Sequence, residues 1–198
     1  MNEQLAAEIK KSNAWVISCS DLLTGVQVED EMKIAVALLH LCNEHHQAID
    51  LLALHGVNGS AFALFRPQFE VYVRAIWIYY RADAQQVTDF LAEKSTPSLK
   101  ALIDSVEQLD DYKCMTLSAT HARLYKIMCS FTHGGGIQVK ARFSGGQIVE
   151  SYLPEHVGDL LKTSSTFSMM AAHSIAKIVG NSLLAQKIGV EYQRIYGT

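Results

Sequence analysis

Arg66, Glu70 and Arg74 recur at steps of four within SAFALFRPQFEVYVRAIWIYYR, the segment from Ser60 to Arg81, and Arg81 follows seven residues later. At about 100° per residue, a helix gathers all four into roughly 80° of arc. The rest of the segment is apolar or aromatic, so a narrow charged stripe runs down a helix that is otherwise fit for burial. Charges leave water only when they are paired or put to use. The stripe therefore faces either a strip of solvent or a polar cleft. Arg66 and Glu70 stand at the i, i+4 spacing of a helical ion pair. The pair is either a structural ion pair or the lining of a site. Pro67 either starts the helix proper or kinks it so that Arg66 and Glu70 aim inward. Arg74 and Arg81 read as the solvated end of the stripe.

The second reactive element is Ser130-Phe131-Thr132-His133-Gly134. His133 closes a helix and precedes two further glycines, which leave its imidazole uncrowded. The helix dipole holds a C-terminal histidine partly protonated, so it is suited to acid or base work near neutral pH. Lys126 lies seven residues earlier on the same face, and Arg123 is displaced from it by about 60°. Downstream, Lys140 and Arg142 fall on one side of an expected strand. The candidate site thus takes His133, Arg66 and Glu70 as its reactive groups and Lys126, Ser130, Lys140 and Arg142 as contacts to an anionic substrate. Asp110 and Asp111 precede the helix and dilute its positive charge.

Other constellations say less. His40, Glu44, His45 and His46 resemble metal ligands on a helix, but no H-E-x-x-H and no matching second cluster occur, so no metal and no cofactor is expected. His121 and His173 read as core-edge residues. The sequence holds no G-x-S-x-G, no P-loop and no G-x-G-x-x-G. Cys19, Cys42, Cys114 and Cys129 are scattered without a C-x-x-C pair and read as reduced core thiols.

The elements that must position these residues are mostly helical. Only three prolines occur among 198 residues. The pattern predicts helices from Asn2 to Leu23, from Glu29 to His55, from Ser60 to Arg81, from Asp83 to Glu93, from Pro97 to Leu109 and from Ser118 to His133. The second helix carries the stripe Ile34, Leu38, Leu41, Ala48 and Leu52. Asn58-Gly59-Ser60 reads as a turn with Ser60 as N-cap, and Ser95-Thr96-Pro97 as a break. After Gly134 the period changes to two: Ile137, Val139, Ala141 and Phe143 alternate with polar residues, Gly145-Gly146 turns, and Gln147 to Tyr152 returns as a hairpin. Pro154 to Tyr196 is helical again, and a straight helix of that length would span about 65 Å. A break is therefore expected near Thr163–Thr166, Gly180 or Gly189. The fold class is all-α, an antiparallel helical bundle in one domain, residues 1–198, with a small hairpin before the C-terminal helices.

Apolar residues make up 49% of the chain and charged residues 19%, which describes a globular domain and excludes disorder. The formal charge of -3 excludes duplex nucleic-acid binding through a global basic field and leaves a local basic site open. The N-terminus has no apolar core of a signal peptide, and no apolar run reaches the roughly 18 residues of a membrane span. A cytoplasmic protein with no membrane partner is expected.

The F-R-P-x-F-E element around Arg66, the aromatic Trp77-Ile78-Tyr79 behind it, a later Tyr125 and the S-F-T-H-G ending at Gly134 together resemble bacterial HEPN-like helical proteins of unknown function, over roughly Glu29 to the C-terminus. The resemblance implies a helical bundle, often dimeric, in a superfamily with many metal-independent ribonucleases of toxin–antitoxin, phage-defence and CRISPR-linked systems. In that superfamily four to six residues separate an Arg from the catalytic His, usually with a polar residue directly after the Arg. The His corresponds to His133. At the Arg position stands Lys126, followed by Ile127, and Lys lacks the bidentate fork. Arg66, from the neighbouring helix, is the available guanidinium. Three functions follow. The first is a module that binds a nucleotide, an RNA or a protein partner such as an antitoxin. The second is an endoribonuclease with His133 as acid or base. The third is a structural homodimerisation protein with a seam along Tyr72 to Tyr80.

Overall fold

The computed structural model describes residues 3–94, 96–113 and 116–197. Its framework is set by α2 (Lys33–Leu54) and α3 (Asn58–Tyr80). Helix α2 buries Ala35, Leu39, Cys42, His46, Ile49 and Ala53, in alternating steps of four and three. That repeat keeps one seam against a long neighbour, and the neighbour is α3, reached through the short link His55–Val57. The expected stripe of Ile34, Leu38 and Leu41 lies one position off this seam and is only half-buried. An apolar count passes over His46, which occupies the true seam.

Helix α3 is buried on most of its circumference: Phe69, Tyr72, Val73, Ala75 and Ile76 are inaccessible. It is covered by α2, by α5 (Leu99–Val106), by α6 (Leu117–Thr132) and by α8 (Pro154–Ile178). The apolar residues of Tyr72–Ile78 therefore pack inside the chain; of the expected seam, Arg74, Tyr79 and Tyr80 reach the surface. Helix α1 (Glu3–Leu23) lies on α2 and α8, and α9 (Ser182–Tyr196) closes a second, smaller apolar cluster around Trp15 and Ile188. Helix α4 (Ala84–Leu91) opens with a capping box of Asp83 and Gln86. The antiparallel two-stranded β1 (Phe143–Ser144) and β2 (Gln147–Ile148) precede α8. The fold is mostly helical with a small hairpin before the C-terminal helices.

Several boundaries differ from the expectation. Asn58-Gly59-Ser60 forms the first turn of α3 instead of a separate turn. The Arg142 guanidinium and the Tyr152 hydroxyl lie where a Cβ on Gly59 would stand, so a larger residue there would displace their ends. Ser98, not Pro97, begins α5, its side chain accepting from the Ala101 N–H. Ile137 to Lys140 is no strand but the short helix α7 (Gly136–Lys140), so the hairpin shrinks to its tip. Between α8 and α9 the chain breaks at Gly180, and Asn181 caps α9 by accepting from Leu184 N–H. Thr163 and Thr166 stay helical, their hydroxyls donating to the carbonyls of Asp159 and Lys162. Asn2, Ser95 and Cys114 lie outside the described residues.

Candidate polar site at the α3–α6 crossing

The site begins with Pro67. Within α3 it has no N–H to give to the carbonyl of Ala63, four residues back. Thr132, at the end of α6, reaches into that vacancy: its single hydroxyl proton is shared between Ala63 O, at 3.1 Å, and Met128 O, at 2.9 Å. The C-terminus of α6 is thereby seated beside Arg66. The triple glycine completes the placement. Gly134 takes φ +63 to end α6, and Gly135 approaches Ser130 so closely that a Cβ would lie 2.6 Å from its Oγ. Ser130 Oγ accepts from Ile137 N–H at 3.2 Å, tying the start of α7 to α6.

Arg66 is the hub. Its Nε donates to Glu70 Oε1 at 2.7 Å, its Nη2 donates to the Tyr125 hydroxyl at 3.1 Å, and its Nη1 donates to Nε2 of His133. Tyr125 in turn donates to Glu70 Oε1 at 3.2 Å, and Arg74 Nη2 donates to Glu70 Oε2 at 2.9 Å. The ring of His121 stacks on Tyr125 at 4.4 Å between centroids. The side chains of Arg66, Glu70 and Arg74 are 21%, 12% and 33% exposed, so the cluster is recessed but open to solvent.

Electrostatics hold the cluster in its charged form. Burial alone would raise the Glu70 carboxyl, but the hydrogen bond from Arg66 and the nearby charges of Arg74 and Arg66 outweigh it and leave it below its ordinary value. Burial likewise disfavours the Arg66 cation, and the bond to Glu70 reverses the sign and raises it. Partial burial and the Glu70 charge push the Tyr125 hydroxyl up, so it remains a donor.

The guanidinium has donors and no acceptor, so Nε2 of His133 accepts and the ring carries its proton on Nδ1. In this state His133 offers an N–H and no free basic nitrogen.

Of the residues singled out in the sequence, the structure joins Arg66, Glu70 and His133 through hydrogen bonds. Arg74 belongs with them and is no solvated tail, and Arg81 donates to Ser105 O instead. Ser130 serves as the clamp for α7. Arg142 pairs with Glu150 at 2.6 Å, near the start of α3. Lys140 lines a separate cavity. Lys126 is exposed on α6 and makes no ion pair among the described residues. His46 is buried against Ser164, while His40 and Glu44 are exposed, so the histidines of α2 do not converge. From the sequence, Tyr125 enters only through the resemblance and His121 reads as a core-edge residue, so neither is placed in the site. Their signal is the spacing of eight and twelve residues before His133, which on a helix puts Tyr125 within reach of the same neighbour.

Among the described residues, no helix is long and apolar enough to cross a membrane. No curated protein and no solved structure matches the chain. Residues 39–196, which contain the whole cluster, match a family of unknown function, DUF6988, and the chain belongs to that family.

Proposed function

We propose that this chain is a HEPN-like helical module that binds a phosphate-bearing ligand, a nucleotide or a single-stranded RNA, at the Arg66 cluster. The observation that carries the reading is the hydrogen bond from Arg66 to His133 across two helices, buttressed by Glu70. Two cations and one carboxylate leave the cluster with one net positive charge. Three of the five guanidinium N–H groups of Arg66 are engaged by Glu70, His133 and Tyr125, which leaves two for a ligand. Arg74 and the Nδ1–H of His133 add further donors. A recessed, donor-rich cationic cluster suits an anion with several acceptor oxygens. With Nε2 occupied, the histidine is a donor to the ligand, which favours binding over turnover.

The test is titration of the full chain with AMP, inorganic phosphate and a short RNA oligomer at low salt. Binding is expected, with affinity falling as salt rises and about tenfold or more lost in Arg66→Gln. Absence of binding by all three, or equal binding by the variant, overturns the reading.

A second reading is favoured by the exposure of His133. If Arg66 turns to a phosphate, Nε2 is released and can take the proton of a ribose 2′-hydroxyl. That oxygen then attacks the adjacent phosphorus, the bond to the 5′-oxygen breaks, and the 5′-oxygen takes a proton from solvent water. This predicts metal-independent cleavage of RNA that His133→Ala abolishes. Intact RNA after prolonged incubation with the wild type excludes it and leaves the binding role.

A further inference from the structure

A second recess lies apart from the polar cluster and shares none of its residues. It is a cavity of about 960 Å³ bounded by α3, α6, α7 and α8, at the upper end of the roughly 300–1,000 Å³ range of small-molecule sites. We propose that it binds an amphipathic anion, a medium- or long-chain carboxylate, with its chain on the apolar floor and its head group against Arg123 and Lys140.

The floor is aliphatic and aromatic: Phe65, Leu124, Met128, Phe131, Leu160 and Leu153 all line it. Ile127, Ile137 and Leu153 remain 41%, 43% and 50% exposed, so apolar area is left at the mouth for a ligand to cover. Three of the aromatic rings pack on one another. Phe62 stacks on Phe131 at 4.6 Å and 17°, and on Tyr152 at 5.6 Å and 21°. These rings and the aliphatic side chains form one apolar wall that a flexible chain can follow.

The charges at the mouth choose the head group. Among the described residues, Arg123 and Lys140 have no acidic partner, although both line the cavity. Lys162 leans away toward Glu8, at 3.7 Å. Asp159 is the one carboxylate in the lining, and His156 stands beside it. Two cations beside an apolar floor, neither of them ion-paired to Asp159, contrast with Arg66, which keeps Glu70.

Three probes with the same chain separate the parts of this proposal: laurate, dodecanol and dodecylamine, titrated calorimetrically into the full-length protein. Laurate is expected to bind about tenfold or more tightly than dodecanol, and dodecylamine most weakly. Arg123→Gln with Lys140→Gln should bring laurate to the level of dodecanol. Ile127→Trp, which fills the mouth, should weaken both, and thermal unfolding of each variant shows that it is folded. Equal binding of the three probes, or a laurate affinity indifferent to the double variant, overturns the head-group assignment. No binding of laurate to a folded monomer, or a dimer in light scattering that excludes laurate, overturns the site.

Discussion

The hydroxyl of Thr132 occupies the place of the backbone N–H that Pro67 lacks, 3.1 Å from the carbonyl oxygen of Ala63. One helix thereby carries a fixed socket for the end of another, and the residue after Thr132 is His133. Thr132→Val should destabilise the fold by about 0.5–1.5 kcal/mol, the net worth of such a bond. In a Pro67→Ala background the restored N–H satisfies Ala63, and the same substitution should cost less. Urea unfolding of the four proteins measures the difference as a coupling energy. Equal costs in both backgrounds would mean that Thr132 does not replace the missing bond.

Glu70 anchors two arginines, and replacing it with Gln should cost about 2 kcal/mol while loosening Arg66. The pH dependence has a defined sign. The folded carboxyl lies below its ordinary value of 4.5, so the unfolded chain binds more protons in that range. The stabilisation is present above about pH 4.5 and is lost as pH falls through the lowered folded value. Chemical denaturation at several pH values should show a steeper acid loss for the wild type than for Glu70→Gln.

A different group acts earlier in the acid limb. His46 is buried, its Nδ1 lies 2.9 Å from Ser164 Oγ, and Ser164 donates to Gln68 Oε1 at 2.7 Å. The serine proton is committed to Gln68, so Nδ1 is the donor, and Nε2 is buried without a partner. Burial lowers His46 from 6.5 to about 3. The unfolded chain therefore takes up a proton below pH 6.5 that the folded one refuses, and stability falls by up to about 1.4 kcal/mol per pH unit between those values. His46→Gln should flatten this slope between pH 6.5 and 4.5, where Glu70 is silent. His45 and His173, also lowered, supply what remains of it. Ser164→Ala should cost about 2 kcal/mol by leaving two buried groups unpaired.

The thiols provide an independent ruler. Burial pushes the Cys19 thiol up to about 12 and Cys42 higher still, while Cys129, on α6 beside the cluster, is half-buried. Alkylation located by mass spectrometry should reach Cys129 before Cys19 and Cys42. Bound AMP should slow it if the ligand sits over Arg66.

The sequence carried the helical framework and the stripe of α3 because both depend on local period. The partner of the stripe was harder to see. Arg66 and His133 stand out singly by residue type and position, but their contact rests on Pro67 and Thr132, two residues that look like a helix breaker and an ordinary surface threonine. Arg74 looks solvated only while Glu70 is assigned to Arg66 alone; its own i, i+4 spacing from Glu70 is the local signal of the second ion pair. The alternation of Ile137, Val139, Ala141 and Phe143 suggested a strand, yet Gly135 and the Ser130 hydroxyl start a helix there. A four-residue apolar alternation does not decide between the two when tertiary hydrogen bonds intervene. The cavity was invisible for the same reason: Arg123 and Lys140 come from separate elements.

The central claim is that a phosphate group binds where Arg66 meets His133. Histidine-selective ¹⁵N NMR tests it directly. The free protein should show His133 as the Nδ1–H tautomer, a preference that Arg66→Gln removes. Addition of AMP should shift the His133 signals and leave His156, in the apolar cavity, unmoved. An Nε2–H tautomer in the free protein, or a titration in which His133 does not respond while AMP binds, would contradict the account.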